Sequence, residues 1–220
     1  MKQVLYGFGV AALLVLIGWQ WQKNSSTKVE NVTVTGPKPA EKVAYVTFDD
    51  GPSEITPGIL DTLKKYDAKA TFFLIGEEIT EEREEIVKRE IEEGHSVGVH
   101  TYCHKKEEMY CNKEYFWNDF EKCKTRIEEV IGKPVSLHRF PWGSNNGYVC
   151  PLVDDLMEEL QKKKITSFDW NVSGEDSVAV GVPMASIYQN VKKDLDKYDN
   201  PIILLHDSNT MKNTAAVLPE

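Results

Sequence analysis

Residues 46–54, VTFDDGPSE, close an apolar run with two adjacent carboxylates, Asp49 and Asp50, followed at once by Gly51 and Pro52. Like charges so close together cannot both ionise in a buried place without a cation or a shared proton. A surface turn is the plainer alternative, because Asp-Gly is common turn chemistry. Further on, HTYCH sets His100 and His104 four residues apart, a spacing that brings two imidazoles to one side of a helical turn or tight loop. With an aspartate from a neighbouring strand end they would make three ligands of a catalytic metal site and leave a position for water. Alone, the histidines read as incidental polar residues; beside the paired carboxylates they read as ligands.

The elements that must hold these groups follow from periodicity and turn formers. Val43 to Phe48 is β-branched and aromatic and reads as a buried strand closed by Gly51 and Pro52. Thr56 can cap a helix whose first position suits Pro57. KATFFLIG reads as a second strand, the acidic run 77–93 as one amphipathic helix stopping at Gly94, and HSVGVH as a third strand. Residues 113–131 are helical in pattern. VSLHRF is a strand, PWGSNNGYVC a loop, PLVDDLMEELQKKK a helix and ITSFDWNV a strand again. Met184 to Leu195 is a helix and PIILLHD a closing strand. Strands alternating with helices imply a parallel α/β sheet or barrel. Asp49, Asp50, His100, Arg139 and His206 all fall at or just past carboxyl ends of these strands, the edge where such folds build sites.

Composition sets the bounds. A chain of 220 residues with 41% hydrophobic content can bury one sizeable core, so one catalytic-sized domain is expected. A net charge of -9 argues against a nucleic-acid partner, which needs a basic face to neutralise phosphates. The charges of run 77–93 alternate with Ile79, Ile86, Val87 and Ile91 and read as a solvated helix face. Residues 4–21 carry no charge, follow Lys2, and have Trp19 and Trp21 placed like interfacial anchors. They read as an uncleaved single-pass membrane anchor, or a signal segment, although no Ala-x-Ala-like site follows Ile17. Residues 22–41 read as a linker and 42–220 as the domain, which the anchor would hold on the extracytoplasmic side of the cell membrane. Cys103, Cys111, Cys123 and Cys150 could pair in an oxidising compartment, but no Cys-x-x-Cys supports a structural zinc site. Asn24, Asn31 and Asn171 head N-x-[ST] sequons of the kind that arise often by chance.

TFDDG (47–51), GHSVGVHT with HTYCH (100–104), RFPWG (139–143) and LLHD (204–207), in this order, resemble the polysaccharide deacetylases of carbohydrate esterase family 4, the NodB-homology domain. The resemblance covers about residues 42–217. It implies a distorted (β/α) barrel and removal of N-acetyl or O-acetyl groups from polymers such as peptidoglycan, chitin or xylan. It implies a divalent metal, zinc first and Co2+, Ni2+ or Mn2+ otherwise, on Asp50, His100 and His104. Asp49 then resembles the general base, Arg139 the arginine that orients it by a bidentate contact, and His206 the general acid. Pro141, Trp142 and Gly143 resemble the substrate-groove loop, where a main-chain N–H can meet an oxyanion and Trp142 can stack on a sugar. Successive strand residues point to opposite faces, which would separate the roles of Asp49 and Asp50.

The pattern departs from the family in two places. Ser173 and Ser177 stand where relatives carry an Asp and a Trp, leaving Asp176, counted among the substrate-binding residues, or Asp169 to tune His206. The chain also ends at NTAAVLPE, short of the last helix and strand that generally close such a barrel. The leading expectation is a membrane-anchored deacetylase of peptidoglycan. The alternatives are an O-acetyl esterase served by the same groups, or a sugar-binding protein with an incomplete site. His95 and His138 read as turn packing and an ordinary polar position.

Overall fold

The computed structural model describes residues 42–220. The anchor expected at 4–21, the linker at 22–41 and the sequons at Asn24 and Asn31 lie outside the described residues. Seven strands pair in parallel throughout, β1 (Tyr45–Gly51), β2 (Ala70–Ile75), β3 (Ser96–Thr101), β4 (Leu137–His138), β5 (Thr166–Ser167), β6 (Val172–Ser173) and β7 (Ile202–His206). Their order across the sheet is β5-β4-β3-β2-β1-β7-β6. The helices are α1 (Thr56–Lys65), α2 (Glu84–Glu92), α3 (Lys106–Met109), α4 (Lys113–Ile131), α5 (Val153–Lys162), α6 (Met184–Leu195) and α7 (Lys212–Val217).

The sequence pattern predicts one strand over 165–172, and here the structure differs. Phe168 N–H still donates to His138 O beside β4, whereas Asn171 N–H donates to Ile202 O beside β7. One short segment therefore joins opposite edges of the sheet. In a flat sheet six strand spacings would part β5 from β6 by on the order of 29 Å. The three Cα steps from Phe168 to Asn171 reach at most about 11 Å. The sheet must curl into the expected distorted barrel. The Asn171 side chain belongs to this crossing, since Oδ1 accepts the Ile202 N–H at 2.8 Å.

Alternation along each strand sorts the two faces. Phe48 and Phe72 stack at 5.2 Å and face the helices, where Ile59, Leu60 and Leu63 of α1 and Val87 of α2 are buried. Phe116, Phe120 and Ile127 of α4 extend the same core. Thr47, Asp49 and Phe73 take the other parity and face the interior of the curl. Gly98 on β3 leaves room for Phe73, whose ring atoms would lie 2.7 Å from any Cβ there.

Three local expectations are corrected. Thr56 does not cap α1: Ile55 occupies the N-cap without a side-chain bond, and Thr56 Oγ1 accepts from Ser53 N–H and donates to Asp207 Oδ2 at 2.6 Å. The acidic run is not one helix but 3-10 turns at Gly76–Glu78 and Glu81–Arg83 followed by α2. The break falls where Ile79 is buried and its carbonyl accepts from Arg126 Nε and Nη2 at 3.0 and 2.8 Å, which takes it out of helical pairing. Nor is the run wholly solvated, for Glu90 turns inward beside Val87. Glu90 is fully buried, and neither carboxylate oxygen has a hydrogen-bond partner. Burial, and then the charge of Asp207, hold its carboxyl well above the usual carboxylate range. Gly94, at φ 83, ends α2 as expected.

Candidate active site

The paired aspartates converge because β1 is irregular where they sit. Its register against β2 slips between Asp49 and Gly51, and Asp50 takes φ 75, a left-handed conformation uncommon for a side chain larger than glycine. A regular strand would send the two carboxylates to opposite faces. The bulge turns both toward His100, whose Nε2 lies 3.9 Å from Asp49 Oδ2 and 3.5 Å from Asp50 Oδ1. The expected separation by face is thus corrected, and their different roles must come from different partners. Gly51 is needed beside them, because a Cβ there would lie 2.3 Å from the Asp207 carboxylate.

His100 closes β3 and is buried; its Nδ1 lies 2.9 Å from Arg139 O and donates to that carbonyl. This leaves the Nε2 lone pair facing Asp50. Burial first, with His104 and Arg139 adding, brings its pKa down to about 3 despite the pull of Asp50, so the ring stays neutral. His104 sits at φ 53 in the loop after β3, with Nε2 3.4 Å from Asp50 Oδ1. The loop is held by Asp119 of α4, which accepts from Thr101 Oγ1 at 2.6 Å, Tyr102 N at 2.7 Å and Cys103 N at 3.0 Å. Sequence reasoning missed Asp119, since nothing in a helical pattern marks one exposed-looking acid as the clamp of a distant loop. Cys103 stands beside His104, and burial with Asp119 pushes its thiol up to about 12, so it remains a thiol.

The ligand-type atoms of Asp50, His100 and His104 lie within 4.8 Å of one another. Asp50 Oδ1 is buried without a hydrogen-bond donor. A carboxylate oxygen facing imidazole lone pairs is repelled unless a cation or proton lies between them. One carboxylate and two imidazoles fit a divalent metal and leave room for further ligands.

Asp49 is held differently. Arg139, fully buried just past β4, donates from Nη1 to Asp49 Oδ1 at 2.9 Å and to Thr47 Oγ1 at 2.6 Å, and from Nε to Phe168 O at 3.2 Å. Its guanidinium lies 4.3 Å over the Phe73 ring. The expected bidentate contact is therefore a single hydrogen bond: Nη1 is shared with Thr47, Nε goes to Phe168 O, and the buried Nη2 has no hydrogen-bond partner. Burial raises the Asp49 carboxyl above its usual range, against the opposing pull of Arg139 and then His206.

His206 ends β7 directly across from Asp49 in the sheet register. Asp176 accepts its Nδ1–H and its backbone N–H, both at 2.8 Å, and also the Thr214 hydroxyl at 2.7 Å. Burial disfavours the charged ring, but Asp176, with Asp50 and Asp49 beyond it, lifts its pKa to about 9. Asp176 is thus buried behind His206 and not in the groove where substrate contact was expected of it. Asp169 accepts instead from Ser144 N and Oγ. Ser177 Oγ stands 3.4 Å from His206 Nε2, while Ser173 Oγ accepts from Glu175 N.

Pro141 to Gly143 form a turn in which Gly143 N–H donates to Phe140 O at 2.8 Å, with φ 63 at Trp142 and 83 at Gly143. The Pro141 carbonyl accepts from Tyr110 Oη and Asn146 Nδ2. Trp142 is 43% exposed and its ring lies 4.7 Å from that of His104. A cavity of about 240 Å³ opens beside His104, bounded also by Asp50, Ser53, Glu78 and Asn209. His138 is no ordinary polar residue: it is fully buried beside Phe116, Phe120 and Phe140, with Nδ1 2.9 Å from Ser167 Oγ, and burial keeps it neutral. His95 Nδ1 accepts from Ala70 N at the turn between α2 and β3. All four cysteines are free.

Comparison with known proteins gives this geometry relatives. The model of the family described as polysaccharide deacetylase matches residues 36–159. A peptidoglycan-N-acetylglucosamine deacetylase of Bacillus cereus is 40% identical over 170 residues, covering 76% of this chain and 60% of that protein. One from Listeria monocytogenes is 32% identical over 195 residues, covering 88% of this chain and 37% of the other. The chain thus spans less than two thirds of the length of either relative. The crystal structure of the catalytic domain of a peptidoglycan N-acetylglucosamine deacetylase from Eubacterium rectale superposes with a TM-score of 0.77 at 30% identity, covering 86% of each chain.

Proposed function

The chain belongs to the polysaccharide deacetylase family, and from that premise we propose that it hydrolyses the acetamide of an N-acetylhexosamine polymer, peptidoglycan first. The observation that carries the reading is the buried Asp50 Oδ1, without a donor and facing two imidazole Nε2 atoms, beside a carboxylate that Arg139 holds separately. Asp50, His100 and His104 would hold a divalent ion, zinc by preference for its affinity for imidazole and carboxylate in such sets. When bound, that ion supplies Lewis acidity to the acetamide oxygen and lowers the pKa of water beside it.

The remaining steps belong to the chain's own residues. Asp49, with Oδ1 fixed by Arg139, has Oδ2 free to take a proton from the attacking water. Its raised pKa makes it a stronger base than an exposed carboxylate. His206 donates from Nε2 to the departing amine, with Asp176 fixing the tautomer through Nδ1. An amine leaves poorly unless protonated, so a ring that stays charged to about pH 9 suits amide cleavage. The Gly143 amide is committed to Phe140 O, which leaves the Trp142 N–H as the main-chain donor for a developing oxyanion. On the strength of its sequence, we assign residues 4–21 the tether that would keep the domain outside the cytoplasm, where such a polymer lies.

The test is acetate release from purified peptidoglycan and from N-acetylglucosamine oligomers by the full chain loaded with zinc, with Asp49→Asn as control. Release that vanishes in the control supports the reading. A folded, zinc-binding chain that releases nothing from either polymer overturns it.

A further inference from the structure

The groove-loop tryptophan does not stand alone. Beyond Trp142, at 5.9 Å between ring centroids, lies Tyr148, and both rings are exposed, at 43% and 48%. Past Tyr148 comes Lys106 of α3, with Nζ 2.9 Å from the Tyr148 hydroxyl and 4.4 Å from its ring centroid. The stripe starts at the imidazole of His104. From the candidate metal site it passes to Trp142 and then to Tyr148, whose ring is turned 66° from that of Trp142 and carries the Lys106 ammonium over it.

Exposed aromatic rings offer sugars a surface, because the apolar C–H faces of a sugar stack on them. An ammonium held at the end of such a row selects for negative charge. The hydroxyl of Tyr148 fixes the direction of Lys106, reducing the side-chain freedom lost when an anion binds. Glu107 is the nearest competing carboxylate, but at 3.7 Å and largely exposed it is a weak partner. Lys105, the neighbouring cation, pairs instead with Glu108 at 3.3 Å.

We propose that Trp142, Tyr148 and Lys106 form a subsite for an acidic sugar residue next to the hexosamine being deacetylated, with Lys106 reading its carboxylate. This rests on the deacetylase reading and sharpens it. The favoured polymer alternates N-acetylhexosamine with a hexosamine whose carboxylate is free, as peptidoglycan glycan does where its sugars carry no stem peptide and a neutral homopolymer of N-acetylglucosamine does not. Lys106 acts here as the specificity determinant, Tyr148 stacks on the sugar and directs Lys106, and neither takes part in the chemical step.

The experiment compares the full chain, zinc-loaded, with Lys106→Met, which keeps an unbranched stem, and with Tyr148→Leu. Each is assayed on a peptidoglycan glycan tetrasaccharide, on the same tetrasaccharide with its carboxylates amidated, and on a neutral N-acetylglucosamine tetramer. Lys106→Met is expected to lower kcat/KM on the acidic oligomer about tenfold relative to its effect on the neutral one, mainly through KM, as for loss of one hydrogen bond to a charged group. Amidation of the substrate should cost the wild type a similar factor and Lys106→Met almost nothing. Tyr148→Leu should weaken acidic and neutral oligomers through lost stacking, and the acidic one further because Lys106 loses the hydroxyl that directs it. Equal effects of Lys106→Met on all three oligomers would overturn the subsite. Calorimetric binding of the same oligomers separates the two readings: a charge preference that disappears in Lys106→Met, with no acetate released by any protein, would sink the deacetylase assignment and leave the subsite standing.

Discussion

Replacing Glu90 should make this protein more stable and less sensitive to pH. The carboxyl is fully buried, lacks any hydrogen-bond partner, and is held well above its ordinary value of 4.5 by burial and by Asp207. The folded chain therefore keeps a proton that the unfolded chain releases near pH 4.5. Stability from this group is complete below that pH and declines as pH rises toward the folded value. While only the unfolded state is ionised the difference is one proton, so the loss is about 1.4 kcal/mol per pH unit. Glu90→Gln cannot ionise and removes that slope. Asp207, raised to about 7 by burial and by Asp50 and Asp49, titrates in both proteins and largely cancels in the comparison. Glu90→Met also removes two oxygens without donors, a gain of about 1–3 kcal/mol at any pH. Urea unfolding of the metal-free proteins in chelator, at half-unit steps from pH 4.5 to 7, reads both effects. Parallel wild-type and Gln curves, or a Met variant less stable than wild type, would refute the reasoning.

Two further outcomes follow from the charged groups around the candidate site. Arg139→Met leaves Asp49 buried without its cation and should destabilise the fold by about 3–5 kcal/mol. It should also move the acidic limb of the pH–rate profile upward, because the Asp49 carboxyl, already raised by burial, is raised further; an unmoved limb in a folded variant would contradict the base role. Asp176→Asn removes the partner that lifts His206 to about 9. The alkaline limb should then fall to lower pH, with a larger loss on the acetamide than on an acetyl ester of the same sugar, and equal losses on both would count against His206 as the acid.

Much of the site could be read from the sequence because chemistry-bearing residues sit where strong local signals end. Apolar runs closed by Gly51 or leading into Pro141 mark strand ends, and these put Asp49, His100, Arg139 and His206 on one edge of the sheet. What escaped depended on contacts between distant segments. ITSFDWNV is locally a good strand, and only pairing with β4 at one end and β7 at the other divides it. The bulge at Asp50 carries no glycine to announce it, since the left-handed residue is the aspartate itself. Asp119 and Glu90 lie in helical patterns whose charges look solvated, and their burial or bonding is decided by what packs above them.

The position of β1 inside the sheet, between β2 and β7, has a consequence for how the protein is made. One of its edges pairs with β2, close behind it in the chain, but the other waits for β7, and Thr47 Oγ1 reaches Ile203 O across 156 positions. Contacts so distant in sequence carry a larger loop-closure cost and form slowly. Asp50, His100, His104 and Arg139 all precede residue 140, whereas His206 arrives later, on β7. Vectorial synthesis thus delivers the imidazole and carboxylate cluster before His206. A nascent chain gains the groups that could hold an ion well before the residue proposed to protonate the leaving amine.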